Sequence, residues 1–200
     1  MKRLGLSILL ALGLCLGCAS TERVDTDNDT EVTVSFDYRD IEGAVAQLVA
    51  SLLESPRLAP QGDQLAVVAI GRVTNDTCQH LDTDLITLRL SEALMATDRF
   101  TLTSVFADKA SGRDTMVSDA RTARGNAEFN QSTTQKQGQL VAPDFSLTGK
   151  LSQRNVRRDD GGLRVEYFLT LKATRIRDGL TLWQSNVQRV KAVADGMPVW

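Results

Sequence analysis

The sequence predicts an α/β domain with a mixed sheet, and three observations predict it. Apolar residues recur at helical spacing in the first half of the chain, a nearly unbroken β-branched run lies between two such segments, and the last third alternates apolar and polar residues between turn signals. Helices early and a meander late give a single compact domain whose sheet is flanked by helices and ends in antiparallel strands.

Asp40 stands before Ile41, Val45, Leu48, Val49, Leu52 and Leu53, so the spacing predicts a helix capped by Asp40 and ended by Ser55-Pro56. Just upstream, Val32, Val34, Phe36 and Tyr38 alternate with polar residues, which fits either a short edge strand or the last part of a tether. Beyond the turn-rich Pro60 to Asp63, Leu65 to Val73 reads as a strand covered on both faces. A second helix is expected from Thr83 to Ala96, with Asp82 and Asp84 at its positive end and Ile86, Leu90, Ala93 and Leu94 on one face; Arg89 and Glu92 fall on the other.

Phe100 to Val105 predicts a second strand and Ala107 to Arg124 a weakly amphipathic helix. The segment 125–138 is rich in Asn, Gln and Thr, and reads either as a disordered loop or as a helical arm anchored by Ala127, Phe129, Leu140 and Val141. Phe145, Leu147, Gly149 and Leu151 then alternate, Asp160-Gly161-Gly162 turns the chain, and Leu163, Val165, Tyr167, Leu169 and Leu171 line one face of a long strand. Asp178-Gly179 turns it again into Thr181 to Val193. Arg164, Glu166, Thr170 and Lys172 occupy the opposite face of the long strand, which is therefore expected to be wet and open to a partner.

The amino terminus carries a different signal. Lys2 and Arg3 precede an apolar stretch from Leu4 to Leu16, closed by Leu14-Cys15-Leu16-Gly17-Cys18. A basic start, a short apolar run and a small residue before a cysteine form a bacterial lipoprotein leader, with residues 1–17 removed and Cys18 acylated; the alternative is an ordinary cleaved leader with Cys18 incidental. The apolar run is shorter than the roughly 20 residues that span a bilayer, so membrane attachment would fall to acyl chains. Ala19 and Ser20 follow the cysteine, with no Asp there, which resembles lipoproteins sorted to the outer membrane. Residues 18–31 are polar and acidic and predict a flexible tether, and counting on to Asp40 gives about 25 Å as a coil or about 70 Å fully stretched. The globular domain is expected over 32–200.

Composition narrows the function. The formal charge of −2 becomes −4 without Lys2 and Arg3, and both signs are spread along the chain, so nucleic acid is not an implied partner. His80 is the single histidine, which excludes a multi-histidine metal site, and no metal or other cofactor is expected. No nucleophile elbow, phosphate-binding glycine loop or dinucleotide fingerprint occurs, so no catalytic residue is assigned. Asp76, Asp82 and Asp84 could supply the carboxylate pair of a wall hydrolase, but they lie around a helix start where capping explains them. His80 reads as a loop residue engaged in a hydrogen bond, or alternatively as a proton carrier. Cys78, left as the lone thiol, reads as partly buried and inert, or alternatively as reactive. Arg154, Arg157 and Arg158, followed by Asp159 and Asp160, form either a solvated hairpin tip or a surface for contacting an acidic partner.

The stretch Val73-Thr74-Asn75-Asp76-Thr77-Cys78-Gln79-His80-Leu81-Asp82-Thr83 is similar to the LpoB family of lipoproteins that activate penicillin-binding proteins, with Asn75, Thr77, Gln79, His80, Asp82 and Thr83 as the matching positions. Phe36-Asp37-Tyr38-Arg39-Asp40, Phe100 with its strand, Pro143 to Lys150 and Leu182-Trp183-Gln184-Ser185 extend the resemblance over most of the chain behind the leader. The resemblance implies a fold like the amino-terminal domain of TolB. It also implies a non-enzymatic lipoprotein on the periplasmic face of the outer membrane that binds and stimulates a bifunctional penicillin-binding protein, shifting the synthase toward its active conformation; a monomer is expected. The rival class is a secretion or assembly lipoprotein related to the curli-export family, which would need membrane-crossing hairpins. Arg157, Arg158, Arg164, Glu166 and Lys172 on the predicted hairpin suit water better than lipid. The matching motifs carry no docking surface, and Asn75 to Thr83 serves equally well as a strand–helix fastener.

Overall fold

A computed structural model describes residues 33–58, 64–106 and 113–193, all within the second of two units, Thr33–Trp200. The leader, Cys18, the tether over 18–31, the Pro60 to Asp63 turn and the first residues of the Ala107 to Arg124 helix lie outside the described residues. In chain order the elements are α1 (Tyr38–Leu53), a 3-10 turn (Pro56–Leu58), β1 (Ala66–Asp76), α2 (Thr83–Met95), β2 (Phe100–Leu102), α3 (Thr115–Thr122), β3 (Phe145–Arg157), β4 (Leu163–Arg175) and β5 (Thr181–Val193).

The strands form one sheet in the order β2-β1-β3-β4-β5. β1 runs parallel to β2 and β3, whereas β3, β4 and β5 form an antiparallel meander, as the alternation in the last third predicts. α1 packs on α2 and β5, and α2 on β1. Val45, Leu48 and Leu52 from α1, with Ile86, Leu90 and Leu94 from α2, meet Leu147, Leu151, Val165, Leu169 and Leu171 in the buried core. Each such side chain removed from water stabilises the fold by about 1.5–3 kcal/mol.

Several local expectations are corrected. Asp37, not Asp40, caps α1: its carboxylate accepts from the Arg39 and Asp40 amides, while Asp40 reaches back to the Asp37 amide at 3.1 Å, closing a capping box. Residues 33–37 form no strand, because the Val34 carbonyl and the Phe36 amide are taken by the side chains of Tyr167 and Gln79. β1 is buried on both faces only in its first half. A bulge between Ile70 and Val73 interrupts its register with β3, and beyond it Arg72, Thr74 and Asp76 are exposed.

β2 is shorter than predicted, and α3 has no buried residue. The segment after α3 is neither disordered nor a helical arm. It is a series of turns tied by Gln131, whose amide donates to the carbonyls of Ala123, Asn126 and Phe129 at 3.2, 2.7 and 3.0 Å and whose oxygen accepts from the Gly125 amide at 2.9 Å. Phe129, Leu140 and Val141 are exposed rather than buried anchors, although Leu140 and Val141 line a groove beside Leu65, Val67 and Leu102.

Candidate docking site

The loop from Asn75 to Thr83 joins β1 to α2 and is held by its own side chains. The Asn75 oxygen accepts from the Thr77 amide at 3.1 Å and the Thr77 hydroxyl at 2.7 Å, and the Asn75 amide donates to the Gln79 carbonyl at 2.7 Å. Asp82 caps α2 by accepting from the Asp84 amide at 2.9 Å. Asp76 does not cap. It ends β1 and pairs with Lys150 at 2.6 Å.

Gln79 carries the loop's main long-range link. Its amide donates to the Tyr167 hydroxyl at 2.9 Å, its oxygen accepts from the Phe36 amide at 3.4 Å, and Tyr167 in turn donates to the Val34 carbonyl at 3.1 Å. The Tyr167 ring is fully buried and packs against Phe36 with 5.5 Å between centroids. Burial, reinforced by the nearby Asp40, raises the Tyr167 pKa, while the Gln79 hydrogen bond opposes the rise. A side-chain hub thus fastens the start of the domain to β4 and to the end of β1.

A second fastener lies beside it. Lys191 on β5, with a side chain only 12% exposed, reaches Asp40 at 2.8 Å and Asp37 at 3.7 Å. Burial pushes the Asp37 pKa up, but hydrogen bonds from Thr33 and the Asp40 and Arg39 amides, with the charge of Lys191, outweigh it and hold the group below the usual carboxylate value. Elsewhere Asp144 brackets Val67, donating through its amide at 2.8 Å and accepting through its carboxylate at 2.9 Å, which starts the β1–β3 pairing. The Trp183 indole donates to Ser51 at 3.4 Å and ties β5 to α1. The stretches that carry the family resemblance are therefore fasteners of the fold.

Two expectations about this loop fail. Cys78 is exposed rather than partly buried, because only its backbone amide is engaged, by Gln153 at 3.3 Å. His80 is also exposed and makes no hydrogen bond among the described residues, since the loop's carbonyls and amides are already satisfied by Asn75, Thr77 and Gln79. No group of three or more His, Cys, Asp or Glu among the described residues could hold a metal ion, and no described helix is long and apolar enough to cross a membrane.

The sheet face away from α1 and α2 carries mostly polar and charged residues. Register sets its rows: Thr148, Lys172 and Gln184; Thr74, Lys150, Thr170 and Asn186; Asp76, Ser152, Phe168 and Gln188; Arg154, Glu166 and Val190. Glu166, expected to be wet, is 6% exposed and bonded to Arg164 at 2.8 Å. The three hairpin arginines do not form one patch. Arg154 lies on the open face, Arg157 projects from the opposite side of β3, and Arg158 pairs with Asp160 at 2.5 Å in the turn. Arg157, Arg158 and Arg164 line a shallow groove of about 410 Å³ at the tip. Sequence reasoning missed the Tyr167 hub and the Lys191 cluster, because alternation marks Tyr167 only as a core position and Lys191 as a surface one.

The geometry defines a mixed five-stranded sheet with helices on one face, fastened by side-chain hubs. The model of the family "Peptidoglycan-synthase activator LpoB" matches residues 40–188, and the chain belongs to that family. Among solved structures it is similar to the LpoB carboxyl-terminal domain from Salmonella enterica (19% identity, TM-score 0.46, 75% of this chain and 98% of that one). It is likewise similar to the Escherichia coli LpoB carboxyl-terminal domain (19%, 0.45, 75% and 98%) and to the NMR structure of E. coli LpoB (17%, 0.44, 88% and 85%). No curated protein matches the chain. The family model alone carries the assignment.

Proposed function

We propose that this chain is a lipid-anchored activator that docks on a bifunctional penicillin-binding protein and raises its synthesis of peptidoglycan without catalysing a reaction itself. The observation that carries the reading is the family match over residues 40–188. In this reading residues 1–17 are a leader, Cys18 bears the acyl chains, residues 18–31 are a tether, and the domain from residue 32 onward works as a monomer at the periplasmic face of the outer membrane. Neither a metal nor a cofactor takes part. The loop residues Asn75, Thr77, Gln79 and Asp82 hold the domain together, Thr83 opens α2, and contact falls to the sheet face and hairpin that include Arg154. Activation is a population shift: the domain binds the active synthase conformation more tightly, and a tenfold shift needs about 1.4 kcal/mol of differential affinity.

Two measurements test this. Metabolic labelling with palmitate should mark the wild-type chain and not a Cys18→Ser variant; equal labelling, or none in either, would remove the anchor. The full-length protein, extracted in detergent, should retain a purified bifunctional synthase from the same organism on an affinity column. Passage of the synthase unretained would reject the partner.

A further inference from the structure

From the exposed sheet face we infer that the docking surface is the open side of β3, β4 and β5, and that its occupant is an acidic surface patch of the synthase. This rests on the proposed function for the partner's identity, and adds to it the face, the chemistry and the residues.

Charge is the first support. The chain is acidic overall, at −2, yet this face carries Lys150, Arg154, Arg164 and Lys172 against only Asp76 and Glu166. Asp76 is bound to Lys150 at 2.6 Å, and buried Glu166 is bound to Arg164 at 2.8 Å and sits directly across from Arg154. Arg154 and Lys172 are exposed and make no ion pair or hydrogen bond with any described residue. Lys172 has no carboxylate in its own or a neighbouring row, and four cations against two carboxylates leave the face net positive, which favours an acidic partner and disfavours a basic one.

The layout of the face is the second support. Half-buried Phe168 lies on β4 and exposed Val190 beside it on the edge strand β5, while Lys150 and Arg154 on β3 and Lys172 on β4 flank them from the β3 side; the open-face residues of β5 carry no charge. An apolar patch next to a row of cations gives a partner both contact area and a charge to match. Strands about 40 Å long, three abreast at about 4.8 Å spacing, present about 600 Å², the size of a small, transient interface rather than a standard one.

The test compares the full-length protein in detergent with an Arg154→Gln/Lys172→Glu variant, which leaves Glu166 without a new carboxylate opposite it, and with a control, Arg57→Gln/Lys136→Glu, which makes the same charge change at exposed positions off this face. Affinity for the purified synthase is read by surface plasmon resonance at low and moderate salt, and folding by circular dichroism melting. The face variant should melt like wild type, bind at least about tenfold more weakly, and lose most of the salt dependence that wild type shows. The control should bind like wild type. Equal affinity of the face variant, or an equal loss in the control, overturns the assignment of the face while leaving the partner standing. Wild-type protein that fails to bind the synthase at all overturns the functional reading beneath it.

Discussion

Replacing Tyr167 with Phe removes one oxygen from the centre of the fold. The ring stays against Phe36, so no cavity opens, but the hydroxyl's bonds to the Val34 carbonyl at 3.1 Å and from the Gln79 amide at 2.9 Å are both lost. A hydrogen bond contributes about 0.5–1.5 kcal/mol net, and the two groups left behind are only partly reached by water, so the expected loss is about 2 kcal/mol. In a domain of this size that lowers Tm by about 4–8 °C. Denaturant titration should show an unchanged slope with a lower midpoint. Native-state hydrogen exchange should localise part of the effect: the Phe36 amide, bonded to Gln79 at 3.4 Å, loses protection more than amides in the middle of β4. Below its melting temperature Y167F should still bind the synthase, because the hydroxyl serves the fold. A change in stability under about 0.5 kcal/mol, with unchanged exchange at residues 34–37, would refute the hub.

Other perturbations follow from the same packing and charge arguments. At Gly149 a Cβ would lie 2.7 Å from Leu171 Cδ2, 3.1 Å from Val73 Cγ2 and 3.3 Å from the Thr170 carbonyl, so G149A should destabilise by about 1–3 kcal/mol in a urea titration. Lys191→Met removes the ammonium from Asp40 and Asp37, leaving Asp40 with Arg189 at 4.0 Å and both carboxylates with their capping hydrogen bonds, and should cost about 1–3 kcal/mol. Asp37 has a pKa held below its unfolded value, so its contribution is complete above about pH 4 and is lost as the pH falls through the folded-state value. An Asp37→Asn variant should accordingly flatten the acid limb of the stability–pH curve while remaining less stable than wild type near neutrality.

Period and turn chemistry made most of the fold legible. The two-residue repeat over Leu163 to Leu171 and the Asp-Gly turns define the meander, and the apolar stripe from Ile41 to Leu52 defines α1. The cap was misplaced by three residues because Asp37 and Asp40 are both good capping residues and the box uses both. The turns after α3 were not legible, since their order comes from one glutamine bonding to several carbonyls, which leaves no hydrophobic pattern. Side-chain hubs are hidden for a similar reason: Gln79 and Tyr167 are 88 positions apart and are joined only by folding. The open face was visible as the polar half of β4, but the burial of Glu166 was not, because it depends on Arg164 folding over it.

The account turns on activation by docking. Its most direct measurement is the rate of glycan-strand polymerisation by a purified bifunctional synthase, with and without the full-length protein at saturating concentration in the same detergent. The account predicts a faster rate with the protein present, and no polymerisation by the protein alone. A synthase rate unchanged by a bound, folded protein would contradict it.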